Sequence, residues 1–174
     1  MSFAEREFRD ALGQFATGIT VVTSEVDGML LGLTVSSFNS VSLAPPLILF
    51  SLARSVQTFP LWIKAQYFGI TVLAEHESDL SNRFARGGAE KWNGLAPLRG
   101  SNGVPLLSGG VVAFECATHA FYDGGDHEIV VGRVLSFSRN DGRPLLFHGG
   151  RYRRLHDDRP IETPPDAGLW VPGW

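Results

Sequence analysis

Pro45 and Pro46 cut the chain between a polar run and an apolar one, and that break constrains the fold more than any other feature of the sequence. A proline pair ends a regular segment, because it removes backbone donors and fixes φ. Ahead of it, residues 32–38 (GLTVSSF) set hydroxyls and backbone donors beside one aromatic ring. Behind it, residues 47–50 (LILF) are too few for a helix and suit a buried strand. Ser51, Arg54, Ser55 and Thr58 follow at once. Hydroxyls and a guanidinium so close together form a cradle suited to a phosphate, the arginine offering a fork of donors and loop amides the rest. The same residue types also make an ordinary polar loop after a strand.

In chain order, residues 2–13 read as a short amphipathic helix with Ser2 as N-cap and Phe3, Phe8, Leu12 and Phe15 near helical spacing. Residues 17–23 and 29–35 flank the turn pair Asp27 and Gly28 and predict a hairpin. Residues 47–52 are a third strand, and residues 58–64 a short helix with Thr58 as N-cap and Pro60 in the first turn. A strand over 67–73 precedes a polar helix over 75–84, which Gly87 and Gly88 end. Residues 91–104 read as an irregular surface segment or lid. Two long strands, 111–121 and 128–137, are joined by a loop over 122–127, and a last strand covers 144–148. Residues 157–174, rich in proline, read as a tail on a domain spanning 1–156.

About six or seven strands with no βαβ alternation imply a mainly β fold, a small antiparallel barrel with helices at its rim. No GxGxxG follows a strand and no Walker sequence occurs, which removes the two commonest nucleotide folds. A chain of 174 residues is about one domain. The net charge of −3, with Lys and Arg scattered apart from Arg151, Arg153 and Arg154, argues against nucleic acid as a partner. The lone Cys116 forms no internal disulfide and reads as a small buried hydrophobe. His76, His119, His148 and His156 show no metal-ligand spacing, so no metal is expected. Without a signal-peptide core or a membrane-length apolar run, a cytoplasmic protein with no membrane contact is expected.

Four segments in this order, FRDALGQFATGITVVTS, LTVSSFNSVSLAPPLILFSLARSVQT, GGDHEIVVGRV and PLLFHGGRYRRL, resemble the flavin reductase domain family, the short reductase components of two-component flavin-dependent monooxygenases. The resemblance covers about residues 3–156. It implies an FMN-binding split β-barrel working as a homodimer, with the flavin at or near the subunit boundary. The implied activity is NAD(P)H:flavin oxidoreductase: reduction of FAD or FMN by NADH or NADPH, and release of reduced flavin to a separate monooxygenase. It places the isoalloxazine against Thr34, Val35, Ser36 and Ser37, and the phosphate along Ser51, Leu52, Ala53, Arg54, Ser55 and Thr58. Asn82, Arg83 and Phe84 would approach the flavin tail, although Phe84 suits the core equally. Gly125, Asp126 and His127 would form the loop at the nicotinamide, with His127 as the orienting group, and Tyr152 would close over the rings. On residue types alone, Asp126 capping a hairpin turn beside a solvated His127 accounts for that loop, and Tyr152 for plain packing. The same barrel also hosts bound-FMN oxidases of the pyridoxamine-phosphate type and non-enzymatic flavin- or haem-binding proteins, which fold alone does not separate.

Overall fold

The computed structural model describes residues 4–156. Its elements run α1 (Glu5–Leu12), β1 (Thr17–Gly18), β2 (Thr20–Val26), β3 (Met29–Val35), β4 (Asn39–Leu43), β5 (Pro46–Ala53), α2 (Phe59–Trp62), β6 (Tyr67–Val72) and α3 (Ser78–Ala85). A 3-10 turn (Ala89–Trp92) leads to β7 (Leu98–Arg99), β8 (Pro105–Leu106), β9 (Val112–Gly124), β10 (His127–Arg139), β11 (Leu146–His148) and β12 (Arg151–Arg153). Seven strands form one antiparallel sheet in the order β3-β2-β6-β9-β10-β5-β4. The short strands β1, β11 and β12 make a second sheet, and β7 and β8 a third.

Local chemistry explains both hairpins. Asp27 (φ 52) and Gly28 (φ 75) take the left-handed conformations that match a two-residue turn to the strand twist. Gly125 (φ 78) starts an equally tight turn with Asp126, so Tyr122 and Asp123, expected in a loop, belong to β9. The strand β4 was not expected at all. It pairs with β5 across the proline corner, Leu43 opposite Pro46, where a missing donor at the start of a strand is tolerated.

The strands β3 and β4 are the two edges of the main sheet, yet only residues 36–38 separate them. A link that short spans at most about 14 Å. The sheet therefore curls until its edges face each other, and no ladder joins them among the described residues. Ser37 bridges the seam instead: its Oγ accepts from the Ser51 amide at 3.0 Å. The result is a mainly β barrel, split at one seam.

Alternation along β5 turns Ile48, Phe50 and Leu52 into the core and leaves Leu47, Leu49, Ser51 and Ala53 half-buried on the opposite face. Phe50 meets Trp62 and Phe68 edge-on, at centroid distances of 6.3 and 5.4 Å. A second cluster joins Phe84, Trp92, Leu73 and Leu145. Residues 91–104, expected as an irregular surface segment or lid, are exposed over most of their length but are anchored at two points. Trp92 is buried edge-on against Phe84, centroids 5.0 Å apart, and Val104 is buried too. Phe84 in turn fills the space over Gly32, where a Cβ would stand 2.4 Å from its ring.

The helices depart from expectation in detail. α3 starts later than Glu75 because the Glu77 carboxylate accepts from the amides of Ala74 and Gly110 (2.7 and 3.1 Å). Thr58 caps α2 without a side-chain hydrogen bond. α1 has Ala4 at its N-cap, while Ser2 and the tail 157–174 lie outside the described residues. Among the described residues, no helix is long and apolar enough to cross a membrane.

Candidate functional site

The seam opens into a cavity of about 490 Å³, within the range of about 300–1,000 Å³ usual for small-molecule sites. Its wall comes from three strands that lie apart in sequence. The end of β3 and the link after it give Thr34, Val35, Ser36 and Ser37; β5 and its exit give Ser51, Ala53 and Ser55; and His127 opens β10. Pairing of β10 with β5 sets His127 opposite Ala53, which is why the hairpin tip reaches the seam. Phe84 forms the far wall with Ala85, Arg86, Gly87 and Lys91.

Not every expected hydroxyl faces this space. The Thr34 hydroxyl donates to the Ser81 carbonyl at 2.7 Å and ties β3 to α3, and the Ser37 hydroxyl is held by the Ser51 backbone. The Ser36 hydroxyl has no hydrogen bond within the described residues. On this strand the donors left for a ligand are therefore that hydroxyl and the backbone amides of the turn leaving β3, and across the cavity the Ser51 and Ser55 hydroxyls make no hydrogen bond within the described residues.

His127 is oriented by its neighbour. Its Nδ1 lies 2.7 Å from Asp126 Oδ1, and because a carboxylate only accepts, Nδ1 carries the proton. That leaves Nε2 for a ligand in the cavity. The hydrogen bond to His127, and then its charge, hold the Asp126 carboxyl below the usual carboxylate range. A depressed carboxyl keeps its acceptor role down to and below about pH 4, and loses it only as pH falls through the lowered value.

Arg54 lies outside the cavity wall. Its guanidinium contacts Asp123 at 2.5 Å and Glu128 at 2.8 Å, and Nε donates to the His127 carbonyl at 3.3 Å. Its amide also donates to the Asp126 carbonyl. One cation between two carboxylates clamps the β9–β10 hairpin to β5, an arrangement that leaves little charge for a phosphate.

The remaining expected residues are distributed around this centre. Leu52 is a fully buried core residue, and Thr58 lines an adjoining cavity of about 400 Å³. Asn82 and Arg83 face a third cavity of about 340 Å³, where Arg83 donates to the Asn93 carbonyl. Gly125 and Asp126 shape the turn behind His127. Tyr152 packs on Phe147, and its hydroxyl lies 2.9 Å from both Ser81 Oγ and Asn82 Oδ1. One O–H donates once, so it donates to Asn82 and accepts from Ser81, bracing α3 from behind. Lys91, Arg86 and Gln57 were not expected. A lone lysine in a glycine-rich stretch carries no local signal, but the adjacent Trp92, too large to leave in water, marks where that stretch is anchored.

Cys116 is fully buried, and burial, then the Glu115 charge, push its thiol up to about 12, so it is no nucleophile. No cluster of ligating side chains suited to a metal occurs among the described residues.

Residues 12–156 match the family described as flavin reductase like domain. The chain belongs to that family. Among flavin reductases it is 45% identical over 150 residues to the FMN reductase (NADH) SmoA of Agrobacterium fabrum, covering 86% of each chain. It is 35% identical over 160 residues to HsaB, the reductase subunit of a flavin-dependent monooxygenase of Rhodococcus jostii, covering 91% of this chain and 82% of that one. The structure of the Streptomyces globisporus NADH:FAD oxidoreductase SgcE6 in complex with NAD and FAD fragments superposes with a TM-score of 0.82 at 32% identity, covering 91% and 99% of the two chains.

The residues present suit a flavin. Its ring edge is made of carbonyls and ring nitrogens that accept hydrogen bonds, and the Ser36 hydroxyl with the turn amides supplies donors. Its faces are apolar, and Leu33, Val35 and Val56 line the same space.

Proposed function

We propose that this chain is an NADH-dependent flavin reductase that reduces FMN or FAD as a diffusible substrate and supplies it to a separate monooxygenase. One observation carries the reading: the open seam cavity combines a donor edge suited to a flavin ring with His127, which lines the same space and whose Nε2 is left uncommitted. The names of its relatives agree, one an FMN reductase using NADH and another a monooxygenase reductase subunit. Bound there, a flavin supplies the two-electron acceptor and a dihydronicotinamide the hydride, so the chain need furnish no acid or base.

The side chains act by placement. Ser36 and the amides after β3 fix the ring edge. His127 Nε2 accepts from, or when protonated donates to, the nicotinamide carboxamide and sets one ring over the other. The Asp126 carboxylate and the Arg54 clamp keep that imidazole in place. The cavity opens to solvent along the seam, consistent with a flavin that enters and leaves.

The chain works as a homodimer in this reading. Its support is the exposure of Val41, Leu43, Leu135 and Phe137 on β4 and β10, the strands flanking β5, which a second copy would cover.

The test is anaerobic mixing of the purified protein with NADH or NADPH and excess FMN or FAD. Bleaching of many equivalents of flavin per chain by NADH is expected, from a species that sediments at twice the chain mass. Bleaching of one bound equivalent only would make the flavin prosthetic, and none would end the reductase reading; a species of single-chain mass would end the dimer.

A further inference from the structure

We propose that Glu128 and Arg54 are a pair of positioning residues for the nicotinamide, acting through His127 and touching neither substrate. The proposal rests on the reductase reading above, which supplies the nicotinamide. Neither side chain lines the seam cavity or the two cavities beside it.

Strand geometry sets the problem that the pair solves. Glu128 follows His127 in β10, so alternation turns its side chain to the other face of the sheet, the face of the buried Leu52 that it opposes on β5. On β9 it stands directly opposite Asp123. Like charges facing each other across a ladder repel. Here they do so beside the turn that carries His127, and uncompensated they would splay the hairpin tip.

Arg54 removes that repulsion. It leaves β5 just after Ala53, the residue paired with His127, and its guanidinium reaches Glu128 at 2.8 Å and Asp123 at 2.5 Å. The two contacts differ in weight. Asp123 is 78% exposed, where an ion pair is screened and weak, whereas Glu128 is 18% exposed and its carboxylate is the firmer hold. Arg54 also grips the backbone of the tip: its Nε donates to the His127 carbonyl and its amide to the Asp126 carbonyl, at 3.3 and 3.0 Å. Those are the two residues whose side chains meet at 2.7 Å. Asp126 therefore fixes the imidazole within the tip, and Arg54 with Glu128 fixes the tip to β5. A misplacement of about 1 Å at such a group can lower a rate by about 100-fold.

A phosphate role for Arg54, which the family resemblance implied, has consequences of the opposite sign. If its charge served a phosphate, Glu128 would compete for it, and Glu128→Gln would tighten FMN relative to riboflavin. A positioning role leaves that ratio alone and lowers the use of NADH.

Steady-state kinetics and flavin fluorescence titration of single and double variants form the test. Arg54→Gln is expected to lower kcat/KM for NADH by about tenfold and Glu128→Gln by about threefold, since the amide still accepts a hydrogen bond. In both, the FMN-to-riboflavin affinity ratio should stay within about twofold of the unaltered chain. Beside His127→Ala, neither substitution should cost more than about twofold, because the group they place is gone. A merely structural pair would lower the rate equally in both backgrounds. Exchange of the backbone amides of residues 124–128, measured without nucleotide, should quicken by about tenfold in Arg54→Gln. A full Arg54→Gln loss persisting beside His127→Ala, a shifted FMN-to-riboflavin ratio in either variant, or unchanged amide exchange at the tip would overturn the proposal. Absence of bleaching by NADH in the unaltered chain would instead remove the reductase reading, and the amide exchange would still decide whether Arg54 holds the tip.

Discussion

His127→Ala is expected to lower kcat/KM for NADH by about 10- to 100-fold while leaving the dissociation constant of FMN within about twofold. The magnitude is that of one hydrogen bond at a site where ring-to-ring placement sets the rate. The imidazole enters the cavity from the tip of the β9–β10 hairpin, with Nδ1 committed to Asp126, so only Nε2 can meet the nicotinamide. No acid or base is lost with the side chain, and the pH profile of the remaining rate should keep its shape. Steady-state kinetics at several NADH concentrations, beside flavin fluorescence titration, separate the two effects. A loss confined to FMN binding would place His127 on the flavin instead.

Phe50→Ala should destabilise the fold by about 3–5 kcal/mol. Phe50 is 1% exposed, at the centre of the inward row of β5, and its ring meets both Trp62 and Phe68. Truncation leaves a cavity that neither neighbour can fill, because Phe68 already occupies the space over Gly132, where a Cβ would stand 2.3 Å from its ring. Chemical denaturation measures the loss. At about 2–4 °C per kcal/mol for a chain of this size, the midpoint of thermal unfolding should fall by about 10 °C. A loss below about 1 kcal/mol would mean that the barrel interior repacks freely, contrary to the close contacts seen.

Much of the barrel was legible because its signals are local. Asp27-Gly28 and Gly125-Asp126 mark turns by residue type, and the apolar run before Ser51 marks β5. The strand β4 was not, since Asn39–Leu43 alternates with polar residues at an edge and its pairing depends on the proline corner. Barrel closure depends on which strands become edges, which no single segment records. Residues 91–104 read only as an irregular surface segment or lid, because the burial of Trp92 that anchors them rests on Phe84 and on the missing side chain of Gly32, far away in sequence. At the site, the Ser-rich turn and His127 were visible as motifs, but only the β10–β5 register brings them to one cavity. Arg54 was read from its charge alone. Its engagement by Asp123 and Glu128 on the hairpin was invisible, and so was the placement of Lys91 opposite.

The central claim is that flavin binds in the split of the barrel. Backbone amide hydrogen exchange with and without saturating FMN tests it residue by residue. Slowed exchange concentrated at residues 35–37, 55–57 and 87–91 is the expected result. Protection centred on residues 152–156 with no change along the seam, or no protection anywhere, would contradict the account.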